Sequence, residues 1–153
     1  MNKSRKMIVA ASLVGAIGAL VAAQALAATT TWSGAGTNDP VFKVSFKRVK
    51  TAGHPPKVKD FASKNLHYTC TPNLNQSPFR ASTTIHTPIG VHGGSFHRAS
   101  SFNSGNIKVS YTIDGEFVSK RTAKGTYKER RALISDPTKH CDSLEEPWKA
   151  HKQ

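Results

Sequence analysis

From Ile107 to Ile113 apolar and polar side chains alternate without a break. Ile107, Val109, Tyr111 and Ile113 fall on one side, and Lys108, Ser110 and Thr112 on the other. A period of two is that of a strand with one face in a core and one in water, because successive side chains on an extended backbone point opposite ways. The same period recurs where Phe42, Val44 and Phe46 alternate with Lys43, Ser45 and Lys47. A chain patterned in this way must bury sheet faces rather than helix stripes.

The remaining strands are shorter. Lys57 to Phe61 reads as a short strand, and Leu66, Tyr68 and Cys70 alternate with His67 and Thr69, after Gly53, Pro55 and Pro56 have broken the first pattern. Arg80 to His86 is rich in β-branched residues and predicts a further strand. Gly90, Gly93 and Gly94 loosen the stretch up to Phe96, with Gly93-Gly94 marking a bend, and Ser100 to Asn106 reads as a polar turn. Asp114-Gly115 has the composition of a tight hairpin turn before Phe117 and Val118. Gly125 to Leu133 and the segment around Trp148 supply the last pair, with Asp136-Pro137 between them. No window beyond residue 27 carries a helical stripe. About seven short strands separated by Gly, Pro and Asn predict an all-β fold, a small antiparallel β-sandwich or barrel. An immunoglobulin domain would place a core Trp between its two cysteines, whereas Trp32 and Trp148 lie outside the Cys70 to Cys141 interval.

The N-terminus has another character. Lys3, Arg5 and Lys6 precede an apolar run from Met7 to Ala23 that ends in Ala25-Leu26-Ala27. That order is a secretory signal peptide over 1–27, with cleavage after Ala27 and no transmembrane segment left once it is removed. Residues 28–40, rich in Thr, Ser, Gly and Ala, read as a flexible leader, and 41–153 as a single β domain. An exported chain enters an oxidising compartment, where Cys70 and Cys141 have only each other to pair with inside the chain, so a disulfide is expected. The whole chain carries 22 Lys and Arg against 9 Asp and Glu, a net +13; losing three basic residues with the signal leaves +10.

The C-terminal half carries motifs in a definite order: Gly115-Glu116-Phe117, Ala123-Lys124-Gly125-Thr126-Tyr127, Cys141-Asp142-Ser143 and Trp148-Lys149-Ala150. In this it resembles a family of small secreted bacterial β-domain proteins, in which a Gly-x-Phe strand precedes Ala-x-Gly-Thr and the chain ends with Cys-Asp-Ser-Gly and Trp-x-Ala. Leu144 stands where that family has Gly. The resemblance implies an all-β fold and the disulfide; it implies no catalytic residues, since no activity is established for the family.

Chemistry must therefore be sought among the residues. His67, His86, His92 and His97 have neither the close pairing nor the carboxylates of a metal site, so no metal and no cofactor is expected. Ser95 beside His97 is set aside as a nucleophile and base, on the reading that neighbours along a strand face opposite ways, and no nucleophile elbow is present. Asp142, Glu145 and Glu146 read as a solvated turn rather than a catalytic carboxylate pair. What remains is positive charge. Lys120, Arg121, Lys124, Lys128, Arg130 and Arg131 fall within twelve residues against one acid, Glu129, and form the candidate anion-binding set. A second group is Lys43, Lys47, Arg48, Lys50, Lys57 and Lys59, which would merge with the first if the strands were neighbours. The leading expectation is a non-enzymatic binding domain of the cell envelope or its surroundings whose partner is an anionic polymer or polysaccharide; nucleic acid fits less well, because few aromatics are free to stack bases. The alternatives are a small secreted hydrolase built from His86, His92, His97 and Asp114, and an inhibitor or toxin-like protein.

Overall fold

The computed structural model describes residues 27–74 and 76–153, so the expected signal peptide, but for Ala27, lies outside the described residues. Ten strands follow: β1 (Ala28–Gly36), β2 (Lys43–Lys50), β3 (Lys57–Cys70), β4 (Phe79–Ile85), β5 (Ile89–Gly90), β6 (Ser95–Ser104), β7 (Ile107–Phe117), β8 (Thr122–Leu133), β9 (His140–Ser143) and β10 (Glu146–Lys152). A short 3-10 turn over Pro72–Leu74 interrupts them. All pairings are antiparallel within one sheet of order β10-β1-β2-β3-β9-β8-β7-β6. β10 also pairs with β8, so the hydrogen-bonded path β8-β10-β1-β2-β3-β9 returns on itself. β4 and β5 add to the other edge of β3.

The fold class is therefore as expected, with more strands than the sequence pattern revealed. The most consequential addition is β1. Residues 28–36 are not a loose leader: they are hydrogen-bonded along both edges, to β2 and to β10, and Trp32 is 1% exposed. A strand held by partners on both sides needs backbone more than side chains, so small residues suffice. At Gly34 they are obligatory, because a Cβ there would sit 1.9 Å from the Lys149 carbonyl oxygen.

A second correction concerns Asp114-Gly115, which lies inside β7; the turn comes later, at residues 118–121. Gly115 is there for packing. Phe96, Gly115, Gly125, Trp148 and Gly36 stand side by side on five consecutive strands. The rings of Phe96 and Trp148 lie over the glycines and meet with centroids 6.3 Å apart. Glycine in a strand interior commonly marks such close approach. Likewise β6 continues through most of the expected polar turn, to Ser104. The two short strands expected at 57–61 and 66–70 are one, bent at Asp60 and Asn65, whose positive φ values of 51° and 58° coincide with shifts in register.

The core is aromatic. Phe46 sits at its centre, with Trp32, Phe61, Phe96, Phe117 and Trp148 all within 5.8–6.1 Å of its ring centroid. Residues Cys70 and Cys141 face each other across the β3–β9 ladder and form the expected disulfide, with no free cysteine left. The bridge ties two strands 71 residues apart in sequence.

Candidate functional site

The outer face of the sheet carries the charge. Each strand sends alternate side chains outward, so residues paired across strands line up in rows on one face. One row crosses five strands as Lys124 (β8), Lys149 (β10), Ala35 (β1), Lys43 (β2) and Lys64 (β3). With strands about 4.8 Å apart it spans about 19 Å. All four lysines are exposed. Glu116 pairs with Lys124 at 3.0 Å, but among the described residues no carboxylate lies within ion-pair distance of Lys149, Lys43 or Lys64. Between them Ser33, Gly34, Ala35 and Ser45 leave a shallow trough of about 690 Å³.

The two basic groups of the sequence thus meet, though not through the expected residues. Lys124 comes from the first group and Lys43 from the second, and Lys149 and Lys64, which belong to neither, complete the row. Lys128 and Arg130 also point outward but farther along β8, where Arg130 lies 3.8 Å from Asp142. Lys120 and Arg121 occupy the exposed turn before β8. Lys47 is engaged by Asp60 at 3.0 Å, and Arg48 points inward over the Phe117 ring at 4.4 Å. Strand parity likewise turns Arg131 inward, where its Nε donates to Glu129 at 2.8 Å and its Nη2 to Thr83 and to the Ser82 carbonyl. It takes no part in the exposed set.

Glu129, fully buried, is the centre of that inner network. Its carboxylate accepts from Arg131, Thr83 and the Tyr127 hydroxyl, and its backbone N–H donates to Ser143. Burial, then the negative Glu129, push the Tyr127 and Tyr68 hydroxyls well above the ordinary phenol range. Burial works to lower the Arg131 guanidinium, but Tyr68 and Glu129 outweigh it and raise it. These groups join β4 to β8, and the Arg131 guanidinium is committed to them.

Beside the lysine row lies an open cleft of about 830 Å³, sharing Lys149 and Thr37 with the trough. A two-residue turn at Gly93 and Gly94, with φ 56° and 86°, folds His92 back against Ser95 through paired backbone hydrogen bonds of 2.8 and 2.9 Å. Ser95 and His97 are two residues apart and so share the outer face, contrary to the expectation that they diverge. His97 Nδ1 lies 2.6 Å from Asp114 Oδ1, which leaves Nε2 uncommitted, but no hydrogen bond joins Ser95 to His97. The cleft gathers His92, His97 and Asp114 of the proposed hydrolase set and leaves out His86. That residue sits 3.1 Å from Asp60, whose carboxyl is held below the ordinary range by Lys47 first and His86 second. Among the described residues no three His, Cys, Asp or Glu side chains are placed to hold a metal ion.

Asp142, Glu145 and Glu146 are also separated. Asp142 meets Arg130 and His140, Glu145 is exposed, and Glu146 turns inward, where burial and then Asp39 raise its carboxyl above the usual range. No protein-family model, curated protein or solved structure matches this chain.

Proposed function

We propose that this chain is an exported, non-enzymatic β-domain that binds an anionic polymer of the cell envelope along the outer face of the sheet. The observation that carries the reading is the lysine row: Lys149, Lys43 and Lys64, none with a carboxylate partner among the described residues, aligned over a trough of small side chains, with Lys124 continuing the row beside it. Three uncompensated cations in line repel one another, a standing cost that an extended polyanion laid across the strands would relieve. Small residues in β1 let such a chain approach the sheet closely. Export is supported by the N-terminal sequence and by a disulfide suited to an oxidising compartment.

Retention on isolated cell-wall polymer and on anionic vesicles, measured across a salt series, tests the reading. Wild-type retention is expected to fall steeply towards physiological salt, where the Debye length shrinks to about 8 Å. Lys43→Glu with Lys149→Glu should weaken low-salt binding by about tenfold or more, while Lys128→Glu with Arg130→Glu, off the row, should weaken it less. Equal retention of wild type and the Lys43/Lys149 variant would refute the site.

A further inference from the structure

We propose that the polymer is an acidic glycan, and that the cleft beside the lysine row holds its sugar hydroxyls. The inference rests on the polyanion reading and concerns the end of the same track, where the surface changes character. Next to Lys124 the row continues into Glu116, and the neighbouring outer row brings His97, Asp114 and Thr126 side by side. Two carboxylates thus stand in the path of a polyanion. Each already has a side-chain partner, Asp114 the His97 imidazole at 2.6 Å and Glu116 the Lys124 ammonium at 3.0 Å, so the cleft offers paired acceptors and donors in place of bare positive charge.

Carboxylates beside a polyanion track are unfavourable for a ligand that brings charge alone. They become favourable when the ligand brings hydroxyl donors, because an ionised acceptor makes the stronger kind of hydrogen bond. A glycan bearing one acidic group per residue supplies hydroxyl donors and negative charge together. The floor lets a pyranose ring approach closely, since Gly115 and Gly125 present only backbone there. Trp148 lies directly beneath, 1% exposed, with an indole N–H that has no hydrogen-bond partner among the described residues. The cleft opens onto the lysine row through Lys149 and Thr37, so one extended chain can occupy both.

The test compares two polymers, polygalacturonate and inorganic polyphosphate, which differ in hydroxyls, by calorimetric titration across a salt series. The variant is Asp114→Asn with Glu116→Gln, which removes two negative charges at constant shape, with each single substitution as a control and thermal melting as the check on folding. If the carboxylates only repel, the variant binds both polymers more tightly. If they accept sugar hydroxyls, it binds polyphosphate more tightly and polygalacturonate about tenfold more weakly. Opposite signs for the two polymers are the expected result. Tighter binding of both would overturn the glycan assignment and leave the polyanion reading intact, whereas no salt-sensitive binding of either by wild type would end both.

Discussion

Trp148 stands directly across the β8–β10 ladder from Gly125, and its ring fills the space where a side chain at Gly125 would begin: a Cβ there would lie 2.5 Å from Trp148 Cζ2 and 1.9 Å from the Asp114 carbonyl oxygen. One contact is with an aromatic ring held in the core and the other with backbone, so neither can yield cheaply. Gly125→Ala should therefore destabilise the domain by about 1–3 kcal/mol or more, as overpacking does. Chemical denaturation of the two proteins measures it. An unchanged midpoint would show that β8 and β10 can separate without loss, which the contact of Gly125 with Trp148 forbids.

That relationship also explains where the sequence misled. Alternation in β2 and in the first half of β7 was legible because each buries one face of large apolar residues against lysine and serine on the other. Gly115 and Gly125 broke the pattern, and beside Asp114 a glycine reads as a turn; that rings from Phe96 and Trp148 occupy the missing side-chain space is a fact of tertiary packing. β1 was hidden for a related reason, since a strand paired on both edges is held by its neighbours, and the strand preference of Thr29, Thr30, Thr31 and Trp32 is masked by the Ser33, Gly34, Ala35 and Gly36 that follow. The candidate site was legible in its charge and not in its alignment. Lys149 and Lys64 are far from Lys43 and Lys124 in sequence, and only the pairing of β8, β10, β1, β2 and β3 sets them in one row.

The Cys70–Cys141 bridge closes a long loop. Constraining the unfolded chain over a separation of 71 residues is worth about 4 kcal/mol on the chain-entropy view. Reduction, or Cys70→Ser with Cys141→Ser, should lower the melting temperature sharply, and thiol titration of the unfolded, unreduced protein should find no free thiol. Two titratable thiols per chain would contradict the structure.

Glu146 gives a pH dependence whose sign is fixed. Its carboxyl is raised in the folded state by burial first and by Asp39 second, so the folded protein holds the proton more tightly than the unfolded chain. Folding is thus penalised above the folded-state titration, and the penalty is relieved as pH falls through it towards the ordinary glutamate value of about 4.3. Glu146→Gln should be more stable than wild type at pH 7 to 8, with the difference shrinking as pH approaches 4. Melting curves of both proteins over that range decide the point. A gap that stays constant or widens on acidification would contradict the assigned direction.

Arg131 separates the inner network from the outer binding face. Its guanidinium is the only cation in contact with the buried Glu129 carboxylate among the described residues, and it also holds Thr83 and the Ser82 carbonyl of β4. Removing it would leave a carboxylate in the core without a counter-charge, which typically costs about 3–5 kcal/mol. Arg131→Ala should accordingly unfold much of the protein or lower its denaturation midpoint steeply. Glu129→Gln with Arg131→Met removes both charges, avoids the unpaired ion, and should recover most of that loss. The contrast extends to binding. Because Arg131 points into the core, the stable double variant should retain anionic polymer about as well as wild type at every salt concentration, unlike Lys43→Glu with Lys149→Glu. A clear drop in the retention of a folded Glu129/Arg131 double variant would place Arg131 in the binding surface after all and would require β8 to present its other face.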